Sequence, residues 1–349
     1  MTKLTIVLGP GGVGKTTLSA SIALAAARRG ERTAVVTVDP AKRLAQALGS
    51  DQLPHQPGAV AAQPGFFAAT LDRSRAWDEM VARCADQRAV PPARVERLFA
   101  NRYYQHLRDE LGGSAEIITT DYLAHLLGEG RFDRIVIDTP PAHDALGFLD
   151  APDRFARFMD ARILELLIGQ GSFRLSRKLV LKVLARLTGQ EMLDDLIDFL
   201  RLTREVFAYM GDRGREIVQR QRDEGTDYLL VTAPDREGEI AAQRLAADLT
   251  RRELALSAAF ANRMVAEPPA ADWQQTPSVE WQDFGAQRAA VRQAQATRDQ
   301  NRLEDLSQRL APVPIYPVAK LAHEPQSLAD LQVLADQIPE ALWSAQNGT

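Results

Sequence analysis

Cysteine is almost missing: Cys84 is the single one in 349 residues. It excludes a disulfide within the chain and any metal or metalloid site built from several thiolates of one subunit, and it fits a reducing compartment. The histidines at positions 55, 106, 125, 143 and 323 show no metal-ligand spacing. No apolar run approaches the roughly 18 to 20 residues of a membrane-spanning helix. A surplus of one charge is also lacking. Lys and Arg number 42 against 46 Asp and Glu, a formal net charge of -4, so nothing pulls the whole chain toward nucleic acid or anionic membranes. The N-terminus does not read as a secretory signal, because Ile6 to Leu8 leads directly into a glycine-rich turn and the later alanine run has its arginines behind it. These absences predict a soluble cytoplasmic protein. With 45% hydrophobic residues, the chain is long enough for one large α/β domain, or for a domain with an insertion.

What is present is the stretch GPGGVGKTT, Gly9 to Thr17. An apolar run, Leu4 to Leu8, precedes it and an alanine-rich helical run, Leu18 to Arg28, follows, so it sits where a strand turns into a helix. Glycines let backbone N–H groups approach an anion, the helix N-terminus adds its positive end, and a lysine completes a phosphate cradle. In that cradle Lys15 would reach the β- and γ-phosphates and Thr16 would offer its hydroxyl to Mg²⁺.

A second apolar run, Ala34 to Val38, ends in Asp39-Pro40 and completes a βαβ unit with a parallel sheet. Strands are expected again at Phe66 to Leu71, at Arg134 to Asp138, at Tyr228 to Thr232, at Leu254 to Asn262 and at Val313 to Val318. Helices are expected across Ser74 to Leu111 with a break at Pro91-Pro92, at Thr119 to Leu127, and over Val279 to Leu310. From Ala151 to about Arg222 only amphipathic helices are predicted. The expected fold is therefore an α/β P-loop NTPase with a doubly wound, mostly parallel sheet and a helical subdomain. Its core would take residues 1–150 and 226–349, and the helical insertion 151–225. No internal repeat is visible.

Carboxylates close the successive strands. Asp138, ending RIVID, would hold Mg²⁺ through water, and Asp39 would orient or activate the attacking water. Read alone, Asp39-Pro40 is also a good strand-ending turn. The phosphate loop upstream and the acid-tipped strand downstream favour the catalytic reading.

GPGGVGKTT, VDPAKRL and IDTPPAHDAL resemble, in that order, the phosphate loop, switch I and switch II of the ArsA-like ATPases. That group contains the arsenite-pump ATPase and the guided-entry ATPase of tail-anchored proteins, and it lies among the deviant Walker A proteins with the Min and Par ATPases. Phe260-Ala261-Asn262-Arg263 is similar to the family's strand end, whose Asn recognises adenine. PIYPVAKLAHEP, containing Pro317, is similar to its adenine loop. The resemblance implies a Mg²⁺-dependent ATPase, working as a homodimer or a paralogue heterodimer, with Gly11, Gly12, Val13, Gly14, Lys15, Thr16 and Thr17 on the phosphates, Asp39 and Lys15 catalytic, Thr16 and Asp138 serving the metal, and Asn262 and Pro317 on the adenine side. Switch II, Thr139 to Leu146, would pass nucleotide state to the helices after Asp150.

The chain also departs from that family. Pro10 stands where the family usually has a second lysine, leaving Lys42 or Arg43 as the nearest replacement cation, with a slow enzyme or a cation from another subunit as the alternatives. Asp144 stands where the family often has histidine, and His143 is read as a solvent-facing loop residue. A single cysteine cannot build a metalloid site or the zinc-joining CxxC. The helices after Ala151 are open to three readings: a groove for a hydrophobic helical protein client, with Met159, Met192 and Met210 as contact surface; a lid; or, through the basic segment Phe173 to Thr188, peripheral membrane contact. A Min/Par-type positioning ATPase and a weakly hydrolysing nucleotide-binding scaffold are the alternative functions. No nucleic-acid partner is expected.

Overall fold

The apolar runs become neighbouring strands of one sheet. A computed structural model describes residues 2–39, 42–101, 103–105, 115–140, 150, 190–267 and 279–344. Strands β1 (Lys3–Leu8), β2 (Thr33–Thr37), β3 (Gly58–Ala59), β4 (Phe66–Thr70), β5 (Arg134–Asp138), β6 (Thr226–Thr232), β7 (Leu256–Met264) and β8 (Ile315–Ala319) stand in the order β3-β4-β2-β5-β1-β6-β7-β8. Only the short β3–β4 pair is antiparallel. The central strands β2 and β5 are buried at every position, because a parallel sheet is covered on both faces, and they therefore read as continuous apolar runs rather than alternating ones. From β1 the chain crosses to β2 on one side and later to β6 on the other. Such a reversal of strand order opens a crevice at the strand carboxyl ends.

Two helical layers sandwich this sheet. Helix α1 (Lys15–Arg28) is buried almost throughout, and its alanines let its backbone lie close to the strands. On the same side sits helix Leu328–Ala335, capped by Ser327, whose hydroxyl accepts from the Asp330 N–H; it sends Leu331 and Leu334 into the cluster formed by α1, Val35 and Val136. On the opposite face, helices Arg236–Arg251 and Val279–Leu310 pack Leu245, Leu306 and Leu310 against Leu230 of β6 and Ala259 of β7.

The contacts divide the chain into two compact units. One takes Met1–Thr70, Gly130–Leu146 and Glu224–Thr349, which contain the whole sheet. The other takes Leu71–Glu129 and Gly147–Asp223. Sequence patterns assign Leu71–Glu129 to the nucleotide core; in the structure these residues join the later helices, for a polar reason. Asp121, 2% exposed on helix Ala115–Gly128, pairs with Arg83 of helix Arg73–Gln87 and lies 3.9 Å from Arg213 of helix Gln190–Arg222. In the same unit burial pushes the Cys84 thiol up to about 11. Met210, expected as contact surface, is instead buried there. The expected helices from Ala151 to Thr188, with Met159, the segment Phe173 to Thr188, His106, and switch II beyond Pro140, with His143 and Asp144, lie outside the described residues. Among the described residues, no helix is long and apolar enough to cross a membrane.

At the amino end of the sheet Arg134 opens β5, and it is 2% exposed. Its guanidinium donates to Glu31 at 2.8 Å, to the Thr5 hydroxyl at 3.0 Å and to Asp227 at 3.3 Å, and it lies over the Trp343 ring. A planar fork suits this junction, since one side chain satisfies groups from three directions. Removing it leaves two carboxylates half-buried without their cation. Arg134→Ala is therefore expected to cost about 3–5 kcal/mol in urea unfolding, and Arg134→Lys, which restores the charge but not the fork, to recover only part of that loss.

Candidate functional site

Three adjacent strands position the site. In the order β2-β5-β1, Thr37 and Val7 are both register partners of Asp138, so the segments that follow β2 and β1 emerge on either side of it. Asp39 follows β2, and Gly9 follows β1. Sequence reasoning expected this convergence, and the strand order produces it.

The loop Gly9 to Gly14 depends on glycine at two places in particular. Gly14 is the N-cap of α1 with φ +90°, and a Cβ there would collide with the Asn262 amide nitrogen. Gly9 has φ +155°, and a Cβ there would run into the Val231 carbonyl at the end of β6. The loop is thus held against two neighbouring strand ends. Lys15 is buried, and its Nζ donates to the Gly9 and Pro10 carbonyls, each at 2.9 Å. Burial lowers its pKa from the usual lysine range, opposed by Asp138 and Asp39 and reinforced by Arg43.

Asp138 is 1% exposed. Burial pushes its carboxyl up to about 6, against the Thr16 and Thr37 hydroxyls and the Lys15 ammonium, all of which favour the ionised form. The Thr37 hydroxyl donates to Asp138 Oδ2 at 2.9 Å and accepts from the Asp39 N–H at 3.3 Å, so one side chain ties both acidic positions together. Asp138 Oδ1 is buried and has no hydrogen-bond partner among the described residues. A carboxylate oxygen of this kind, close to the Thr16 hydroxyl at a phosphate loop, fits a hard divalent cation or its bound water. Among the described residues no group of three His, Cys, Asp or Glu is placed to cage a metal, so the remaining ligands would be phosphate and water oxygens, the usual arrangement for Mg²⁺.

These residues border a cleft of about 720 Å³ within the sheet-containing unit. Gly11, Gly12, Gly14, Lys15, Thr16 and Thr17 line one part of it, Asp39 and Arg43 another, and Asn262, Arg263 and Ala319 to Pro325 a third. Two expected residues stand back from the wall: the Val13 side chain is in the core, and Asp138 is covered. Pro317 is exposed on β8 and does not line the cleft, which receives the later part of its segment instead. Asn262, 7% exposed, donates through Nδ2 to the Val13 carbonyl at 2.7 Å, and its Oδ1 accepts from the Arg263 N–H at 2.9 Å.

Of the two cations proposed to replace a lysine at Pro10, Arg43 lines the cleft and Lys42, at the N-cap of the short helix Arg43–Ala47, does not. Sequence reasoning missed Thr37, and it named Thr139 only as the start of switch II. Thr139 donates to the Val7 carbonyl at 2.7 Å and pins the segment after β5 to the strand that feeds the loop. Their signal was available, since each is a hydroxyl within two residues of a strand-end aspartate. Replacing Gly14 should act on ligand more than on fold. Gly14→Ala is expected to weaken ATP binding, measured calorimetrically, by about 10- to 100-fold through the left-handed strain and the displaced Asn262, with an unchanged far-UV circular dichroism spectrum.

The sequence matches the family described as anion-transporting ATPases over residues 2–340. An uncharacterised protein of Streptomyces coelicolor is 27% identical over 334 residues, 95% of this chain and 75% of its own. An arsenical pump-driving ATPase of Escherichia coli is 29% identical over 159 residues, 44% of this chain and 26% of its own. An ATPase ASNA1 homolog of Babesia bovis is 26% identical over 258 residues, 74% of this chain and 65% of its own. The chain spans about a quarter of the length of the arsenical pump-driving ATPases that it matches. With a phosphate loop and two strand-end aspartates meeting at one crevice, and a match that runs nearly end to end, the chain belongs to the ArsA-like anion-transporting ATPase family.

Proposed function

We propose that this chain binds ATP with Mg²⁺ in the cleft and hydrolyses it to ADP and phosphate, and that two subunits use this cycle to open and close on a protein client. The observation that carries the reading is the meeting of Lys15, Asp39 and Asp138 around one phosphate loop, with an unpartnered Asp138 oxygen beside Thr16. The loop amides and the start of α1 would receive the phosphates. The Lys15 ammonium, already held at the loop by two carbonyls, is poised to exchange them for phosphate oxygens. Thr16 and Asp138 would hold Mg²⁺, whose charge offsets that of the β- and γ-phosphates. Asp39 orients a water molecule for attack on the γ-phosphorus and takes its proton, while ADP leaves with the bridging oxygen. Arg43 supplies positive charge to the transferring group, a role favoured by its position on the cleft wall.

Closure of two subunits follows from the same contacts. A γ-phosphate orders the segments after Asp39 and Asp138, and hydrolysis removes the group that ordered them. The resemblance to the guided-entry ATPases favours a hydrophobic helical client, and one buried cysteine does not favour a metalloid cargo. Asn262 and the segment from Ala319 to Pro325 would take the adenine.

A second reading, a nucleotide-binding scaffold that scarcely turns over, is favoured by Pro10 alone. Single-turnover hydrolysis separates the two. Wild type is expected to hydrolyse ATP, while Asp39→Asn keeps its ATP affinity, loses about 100- to 10,000-fold in rate, and accumulates as the ATP-bound dimer in sedimentation. Lys15→Ala is expected to lose ATP affinity itself. Equal, near-background rates in wild type and Asp39→Asn would select the scaffold. Arg43→Ala should slow the chemical step by about 100-fold or more, while Lys42→Ala stays near wild type.

A further inference from the structure

The side chain of Asn262 faces the phosphate loop as well as the cleft. Strand β7 pairs with β8 through Asn262↔Val318 and then Met264↔Ala319, so Arg263 is an extra residue between two regular pairs. A bulge of this kind bends its strand and re-aims the neighbouring side chain. Arg263 takes φ +64°, a left-handed conformation uncommon outside glycine, and its N–H is held by Asn262 Oδ1 at 2.9 Å. The other end of the same amide, Nδ2, donates to the Val13 carbonyl across 249 residues of chain at 2.7 Å, in a buried bond. Val13 is the residue before Gly14, and Gly14 lies so close to Nδ2 that it has no room for a Cβ. The bulge, the left-handed arginine and the missing side chain at position 14 all serve one contact.

We propose that Asn262 is a positioning residue of the phosphate loop: by holding the Val13 carbonyl on the side away from the ligand, it keeps the following N–H groups turned toward the phosphates before any nucleotide arrives. Each peptide unit presents its C=O and N–H in opposite directions, so fixing one fixes the other. The amide keeps a second N–H and a second acceptor lone pair for a base in the cleft. One side chain would therefore join the base end of the site to the phosphate end. This inference rests on the nucleotide reading above, and it assigns Asn262 a role that a pure base contact would lack.

A ligand without a base makes the distinction. Inorganic tripolyphosphate with Mg²⁺ and ATP with Mg²⁺ are titrated into wild type, Asn262→Ala and Asn262→Asp, and amide hydrogen exchange of the Gly9 to Thr17 segment is followed in each ligand-free protein. Asn262→Asp is nearly isosteric and keeps the acceptor for Arg263 while opposing an oxygen to the Val13 carbonyl, so it serves where the alanine variant is too unstable to study. Losing this buried bond is expected to weaken tripolyphosphate and ATP alike by about 10- to 100-fold, with faster exchange in the loop. Variants that lose ATP affinity yet bind tripolyphosphate as wild type does, with loop exchange unchanged, would overturn the inference and leave Asn262 a base contact. Wild-type protein that binds neither ligand would remove the nucleotide reading and this role with it, a different result from the selective loss of ATP in the variants.

Discussion

A loop that presents backbone N–H groups to an anion has to be rigid without using its own side chains, and this constraint governs the cleft. Apart from Val13, whose side chain is in the core, Gly9 to Gly14 carry little that could pack, yet their peptide planes must be oriented before a ligand arrives, because orienting them on binding would consume the affinity gained. The structure meets the constraint from outside the loop. The Val231 carbonyl presses on Gly9, Asn262 holds Val13, and Lys15 gathers the Gly9 and Pro10 carbonyls from beneath. Each support comes from a separate element: Val231 and Asn262 lie on neighbouring strands of the sheet, and Lys15 opens helix α1. The glycines are therefore required less for flexibility than for the closeness of what surrounds them.

Charge at the site follows a similar economy. Lys15 sits between two carboxylates and a guanidinium, and its desolvation is only partly offset by its attraction to Asp138 and Asp39. Asp138 is in the reverse position: burial opposes its charge, and two hydroxyls with one ammonium support it. A pair whose charged forms burial disfavours would gain from an incoming phosphate and cation together, since the phosphate would complete the lysine and the cation would complete the carboxylate. Either one alone would leave the other group undercompensated in a low-dielectric setting. In the proposed function, electrostatics of this kind would favour the metal–nucleotide complex over its parts.

Much of this was legible in the sequence, and the part that was not has a clear physical origin. RIVID gave both the bounds and the acid of β5, and the run from Val279 to Leu310 gave its helix, because the first is a short unbroken apolar run ending in a carboxylate and the second a long Gln/Arg/Ala-rich stretch without proline. The phosphate loop announced itself through glycine spacing between a strand and a helix. Interactions that tie distant parts of the chain left no such trace. Arg134 reads as a charged residue at a strand start, and only the sheet brings it to Glu31 and Asp227. Asp121 lies within an apolar helical run, and only packing reveals that it draws Arg83 and Arg213 into a helical unit of their own. Asn262 could be assigned by resemblance to a base, whereas its bond to Val13 depends on a bulge that no periodicity marks.

Pro10 changes the loop by what it keeps as well as by what it lacks. A proline has no N–H to give a phosphate and no charge to give a partner subunit, but its φ is fixed and its carbonyl is intact. That carbonyl is one of the two that receive Lys15. Position 10 therefore stiffens the loop and holds a cation that is already present, instead of adding one. Within one subunit, further positive charge for a transferring phosphoryl group is offered by the cleft wall, where Arg43 stands on the side of Asp39 while Arg263 and Lys320 stand on the side of Asn262. Only the first of these belongs to the strand-end segment that carries Asp39, the carboxylate proposed to orient water. On the proposed reading, in which Asp39 orients the attacking water, Arg43 is the cleft-lining cation that shares its segment, so it could add charge there from within a single subunit.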